Sequence, residues 1–246
     1  MATKRPVPAS MPHHGVARVI SKLGLGSRTQ AARWIAEGRV RVNGKLVRNP
    51  EFPVARGVDH VSIAGHDAVP VDRVVIMLNK PRGLVTTTQD ERGRATVYQC
   101  LEGSGLPWLA PVGRLDKASE GLLLFANDPA WAARITSPTS GPDKKYHVQI
   151  NRLPDASLLA QLERGAEIDG EWLSAKSALC LRTGGKNAWL EIALAEGRNR
   201  QIRRLLAAFD ASVLRLIRVA VGTLTLGDLP KAQWRMLTPR EVDALS

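Results

Sequence analysis

The chain is 246 residues long, 44% hydrophobic, and carries a formal net charge of +12. That hydrophobic share can fill a packed core, which excludes wholesale disorder. The charge calls for a polyanionic partner, nucleic acid ahead of an anionic membrane surface. No segment approaches the ~20 apolar residues of a membrane span, so no membrane partner is expected. The only cysteines, Cys100 and Cys180, lie far apart in sequence and give neither a disulfide framework nor metal-ligand spacing. A cytoplasmic protein is the natural reading.

The charge is uneven. Residues 1–70 hold 11 Lys/Arg against 4 Asp/Glu, whereas the remaining 176 hold 24 against 19. The front quarter is therefore expected to grip the polyanion. Residues 1–14 are basic, contain proline and lack the apolar run of a secretory signal. They are predicted to be a flexible tail, with His13 and His14 solvated rather than metal-bound. Helices are predicted over 16–24 and 28–37: Ser27 and Gln30 have capping-box spacing, and Gly38 is placed to end the second helix. Ala31, Ala32, Trp34 and Ile35 give that helix an apolar side, leaving Arg28 and Arg33 for solvent or ligand. From Arg39 to Val42 arginine and valine alternate, leading into Asn43-Gly44, a strong signal for a tight hairpin. Val40 and Val42 should face inward and Arg39 and Arg41 outward. Six basic residues (Arg28, Arg33, Arg39, Arg41, Lys45 and Arg48) fall within 21 positions, with Glu37 the only acid among them. Proline and glycine punctuate residues 50–70, which read as the end of the module and a linker, with a boundary near 70–73.

Val74 to Leu78 reads as a strand ending in the turn Asn79-Lys80-Pro81-Arg82-Gly83, where Lys80 could touch phosphate. Gly113-Arg114-Leu115-Asp116 precedes a second apolar run, Leu122 to Phe125, which reads as a buried strand. A carboxylate at such a loop edge beside a guanidinium can stay ionised and face a cleft. A short helix is predicted over 128–137. Lys145 to Ile150 alternates, placing Tyr146, Val148 and Ile150 on one face and His147 on the other. After a strand over 188–194, Ile202, Leu205, Leu206 and Phe209 recur at helical spacing. Arg198, Arg200, Arg203 and Arg204 crowd the start of that helix, where cations oppose the macrodipole. A local cost of this kind points to a functional demand.

The stretch Gly113–Asp116, continued by Lys117-Ala118-Ser119-Glu120-Gly121, resembles the catalytic motif of the pseudouridine synthases. Glu196-Gly197-Arg198-Asn199-Arg200-Gln201-Ile202-Arg203-Arg204 resembles the second signature of that family. Residues 16–65 resemble an S4 RNA-binding domain. The wording around Asp116 is closest to members that modify 23S ribosomal RNA, although Ser119-Glu120 stands where many relatives have Thr-Ser. The resemblance implies an α+β architecture. A small S4-like module (15–72) would precede a larger catalytic domain (73–246), whose mixed, mainly antiparallel sheet and flanking helices surround a basic cleft.

It also implies isomerisation of uridine to pseudouridine in ribosomal RNA with no cofactor or metal; a monomer is expected. In that scheme Asp116 is the indispensable carboxylate and Arg203 its salt-bridge partner. Tyr146 covers the base, and Arg114 supports extrusion of the nucleotide. The expected RNA contacts are Arg28, Arg33, Arg39, Arg41, Lys45, Lys80, Arg114, Arg198, Arg200 and Arg204. Two rivals remain at this point. One is a non-catalytic RNA-binding or ribosome-assembly factor; the other is an RNA N-glycosidase using Asp116 and Glu120 as paired carboxylates.

Overall fold

The computed structural model describes residues 13–55, 58–88 and 90–245. The chain forms two compact units. The first comprises Met1–Val74 with Pro107–Leu109 and Asn127–Pro129; the second comprises Val75–Leu106, Ala110–Ala126 and Ala130–Ser246.

The first unit contains β1 (His13–Gly15), α1 (Val16–Lys22), α2 (Arg28–Ala36), β2 (Val40–Val42), β3 (Lys45–Leu46), β4 (Pro53–Ala55), β5 (Val61–Ile63) and β6 (His66–Asp67). Ser27 caps α2, its Oγ accepting the Gln30 N–H at 2.9 Å. Gly38 follows the helix at φ +72, the left-handed stop that glycine takes without strain. Asn43 and Gly44 both have positive φ, as a two-residue hairpin turn requires. The hairpin buries Val40 and Val42 against Ile20, Ala31 and Ile35 and leaves Arg39 and Arg41 exposed. Two expectations need correction. The stretch read as the end of the module and a linker holds the strands β4, β5 and β6, and Pro53 is tolerated because β4 pairs only with β1 among the described residues. Most of the predicted tail, residues 1–12, lies outside the described residues. His13 and His14, expected in that tail, instead pair with Ala55 and Val54.

The second unit contains β7 (Val75–Lys80), a short 3₁₀ turn (Val97–Leu101), β8 (Ala110–Val112), β9 (Glu120–Ala126), α3 (Pro129–Thr136), β10 (Lys144–Ile150) and α4 (Ala156–Arg164). It continues through β11 (Ala166–Ile168), β12 (Glu171–Leu173), β13 (Ser177–Thr183), β14 (Ala188–Leu194), α5 (Gln201–Ala208), β15 (Val213–Val221), β16 (Leu224–Thr225), β17 (Trp234–Met236) and α6 (Pro239–Ala244). A nine-stranded sheet runs β13-β14-β10-β15-β9-β7-β17, with β16 on β15 and β8 on β9. Every pairing is antiparallel except β15 with β9, so the sheet is mixed and mainly antiparallel.

The sequence patterns follow from burial. Every residue of β7 and β9 is buried, because Trp131 and Ile135 of α3 cover one face and Tyr98 packs edge-on to Phe125 on the other. Strands covered on both faces read as continuous apolar runs. In β10 one face is open, so Tyr146, Val148 and Ile150 are buried while Lys145, His147 and Gln149 are not.

Candidate active site

The Asp116 loop leaves β8 through Gly113, at φ +76, and enters β9 at Glu120. Its backbone is pinned from several directions. Leu115 is buried, and the Thr86 hydroxyl donates to the Leu115 carbonyl at 2.7 Å while accepting the Leu115 N–H at 3.3 Å. Gly83 N–H donates to the Lys117 carbonyl at 2.7 Å, and Ser119 N–H to the Asp116 carbonyl at 2.9 Å. Lys80 completes the clamp. Its Nζ donates to the carbonyls of Ser119 at 2.8 Å, Pro81 at 3.0 Å and Asp116 at 3.2 Å. Three acceptors match the three N–H groups of an ammonium.

This placement corrects the expected phosphate contact from Lys80. The strand runs on to Lys80 instead of ending at Leu78, which carries the side chain inside, where it is fully buried. Burial pushes the ammonium down to about 8, with Asp116, Cys100 and Glu120 resisting the shift. Lys80 shapes the loop from behind and has no surface to offer RNA.

The carboxylate of Asp116 meets Arg200, Nη1 to Oδ2 at 3.2 Å, both side chains part-exposed. This corrects the expected partner, Arg203. Arg200 occupies the N-cap of α5 in the left-handed conformation, φ 49 and ψ 31. Arg203 lies inside the first helical turn and donates to the Val213 carbonyl at 3.3 Å. Its buried Nε has no partner among the described residues. Burial lowers the Arg203 pKa, the Arg200 and Arg82 charges act the same way, and Asp116 opposes them. Arg203 therefore feels the Asp116 charge without bonding to it.

Asp116, Arg114, Tyr146, Arg198, Arg200 and Arg203 line one cleft of about 610 Å³, large enough for a nucleoside-sized ligand. Tyr146 is 8% exposed. Arg114 is exposed and has no bonded partner among the described residues, while Arg198 pairs with Glu196 at 2.8 Å. Arg204 points elsewhere. It binds Glu171 at 2.7 Å, Asp169 at 3.1 Å and the Ile168 carbonyl at 2.8 Å, which ties the β11–β12 hairpin to α5. That engagement gives Arg204 a structural task in place of the expected RNA contact.

Glu120 is engaged away from the cleft. Arg215 grips it at 2.7 and 3.0 Å and Lys231 at 2.7 Å, and the Arg215 hydrogen bonds lead in holding its pKa at about 2. A paired-carboxylate reading with Asp116 therefore loses its second member. Gly121 allows β9 to approach β15: a Cβ at this φ +100 position would stand 2.3 Å from the Arg218 carbonyl oxygen.

Two cleft residues were not anticipated from the sequence, Lys144 and Arg218, both buried. Arg218 within the apolar stretch Leu216 to Val221 was the available signal, since a buried charge needs a reason. The remaining predicted RNA contacts belong to the first unit. Arg28, Arg33, Arg39, Arg41 and Lys45 are all exposed. Glu37 pairs with Arg33 at 3.2 Å and Arg39 at 3.5 Å, Arg39 also lies over the Trp34 ring, and Arg41 donates to the Gly44 carbonyl.

Among the described residues, no helix is long and apolar enough to cross a membrane. The family model for RNA pseudouridylate synthases matches residues 74–208, and that for the S4 domain matches 16–59. A protein of Bacillus subtilis (strain 168) named ribosomal large subunit pseudouridine synthase B is 35% identical over 231 residues, 93% of each chain. A Rickettsia bellii (strain RML369-C) protein described as an uncharacterized RNA pseudouridine synthase is 37% identical over 225 residues, 92% of this chain and 97% of that one. A crystal structure of a pseudouridylate synthase aligns at a TM-score of 0.66 and 29% identity, over 95% of this chain and 100% of that one. With its motifs set around one cleft and matched to relatives over almost its whole length, this chain belongs to the RNA pseudouridylate synthase family and carries an N-terminal S4 domain.

Proposed function

We propose that the protein isomerises uridine to pseudouridine in large-subunit ribosomal RNA, the 23S species, acting as a cytoplasmic monomer. In this reading residues 15–72 grip structured RNA and 73–246 carry the chemistry. The observation that carries it is the Asp116 carboxylate, fixed on a clamped loop, paired with Arg200 and sharing a cleft with Tyr146. The B. subtilis relative's name supports the choice of RNA.

The reaction breaks the N1–C1′ bond of a uridine, turns the base and rejoins it through C5. It needs no redox change and no net group transfer, so no cofactor is invoked. Asp116 supplies the ionised carboxylate. Arg200 orients it, and Arg203 adds positive charge from within α5. Tyr146 covers the extruded base, where stacking contributes on the order of 1–3 kcal/mol. Arg114, Arg198 and Arg200 present cations at the cleft for the RNA backbone.

The test is tritium release from 5-tritiated uridine in 23S RNA transcripts, together with mapping of pseudouridine in ribosomal RNA from cells with and without the protein. A site that disappears with the protein supports the function. Free uracil in the reaction would instead indicate an N-glycosidase, and RNA binding without tritium release an assembly factor.

A further inference from the structure

The cleft holds two cations that have no part in that scheme. Lys144, at the start of β10, is 9% exposed and Arg218, on β15, is 6% exposed; both line the cleft. Tyr146 connects them, two residues from Lys144 along its strand and the cross-strand partner of Arg218. Arg218 uses Nε on the Leu122 carbonyl at 2.7 Å, and its terminal nitrogens have no partner among the described residues. Lys144 has neither hydrogen bond nor ion pair among the described residues. The adjacent carboxylate, Asp143, is taken by Lys176 at 2.6 Å. Burial and the Arg218 charge press the Lys144 pKa downward, and the Asp143 charge opposes them. Two neighbouring buried cations whose nearest carboxylate, Asp143, is bonded to Lys176 are costly, and a ligand offering acceptors would remove that cost.

We propose that Lys144 and Arg218 are a donor pair for the two carbonyl oxygens, O2 and O4, of the target uracil. This rests on the pseudouridine synthase reading. Phosphates meet exposed cations such as Arg114, whereas largely buried donors that line the cleft beside Tyr146 face what Tyr146 covers, the base. When the N1–C1′ bond breaks with its electron pair passing to N1, the charge spreads onto O2 and O4. Rejoining through C5 expels the C5 proton, and N1 takes one up, so atoms and electrons balance.

Turning uracil half a revolution about its N3–C6 axis exchanges N1 with C5 and also O2 with O4. A pair of donors therefore meets the same two acceptors before and after the turn. The pair holds the detached base while it rotates. Cytosine, with an amino group in place of O4, sets donor against donor and is refused.

The experiment uses the full chain and a target RNA fragment, measuring single-turnover pseudouridine formation and RNA affinity separately. Lys144→Met is expected to slow turnover by about a hundredfold, the scale of losing one charge-stabilising donor. RNA affinity should stay within about twofold, and Lys144→Arg should recover most of the rate because it restores the charged donor. Lys144→Gln, which keeps a neutral donor, should fall between, and it serves if the methionine variant fails to fold. An unchanged rate in the folded variants would overturn the proposal. So would weakened RNA binding with a shallower salt dependence at a normal rate, which would assign the pair to a phosphate. A wild-type protein that forms no pseudouridine would overturn the functional reading itself, an outcome visible before any variant is made.

Discussion

The pairing of Asp116 with Arg200 depends on the arginine's backbone. A non-glycine residue at φ 49 stores strain of about 1–3 kcal/mol, and that strain places a guanidinium on the carboxylate. Arg200→Gly should relieve the strain, leaving stability equal or raised by about 1 kcal/mol, since a part-exposed ion pair contributes little. Turnover should nevertheless fall at least about tenfold, as expected when an orienting charge is removed. Urea unfolding alongside tritium release checks both halves, and loss of stability without loss of rate would contradict the role. Three of the four arginines whose crowding at a helix start drew attention in the sequence, Arg198, Arg200 and Arg203, do line the cleft, while Arg204 has the structural excuse of the β11–β12 hairpin. The sequence could not say which one meets Asp116, since a left-handed arginine leaves no mark in composition. Lys80 was misread for a related reason: Asn-Lys-Pro resembles a turn, and only the carbonyl of Asp116, 36 residues on, and its loop neighbours explain a lysine in a strand.

At the scale of elements, the site is built where β9 and β15 form the one parallel pairing of the sheet. Gly121 permits that approach, so Gly121→Ala should destabilise by more than about 3 kcal/mol, the range of severe steric and φ conflicts. Thermal or urea unfolding measures this, and a tolerated alanine would show that the strands can part. Next to it, Glu120 ties β9 to Arg215 and Lys231. Its carboxyl lies at about 2 in the fold against an ordinary 4.5, a difference contributing about 3 kcal/mol at neutral pH. The pKa is depressed, so this stabilisation is complete above pH 4.5 and drains away as pH falls toward 2. Glu120→Gln should therefore unfold more easily at pH 7 and show a flatter stability profile between about pH 4.5 and 2. Strand identity was legible where burial writes a pattern, as in Val40 and Val42 or Tyr146, Val148 and Ile150. The short strands β4 to β6 write none, and Pro53 hides the pairing of β4.

Across the whole molecule, the division of charge links fold to function. The basic surplus of residues 1–70 resides in a unit with its own core around Val16, Ile20 and Ile35. Replacing Arg28, Arg41 and Lys45 together by glutamine should weaken RNA binding and reduce its salt slope by roughly 0.7–0.9 for each phosphate no longer neutralised. The rate of the bound complex should hold. A slope equal to that of the unaltered protein would remove the S4 unit from the grip. The central claim, that Asp116 performs the isomerisation, is tested most directly by Asp116→Asn assayed for tritium release from 5-tritiated uridine in 23S RNA. The account predicts a rate lower by about a thousandfold or more with RNA binding preserved; near-normal release from the asparagine variant would contradict it.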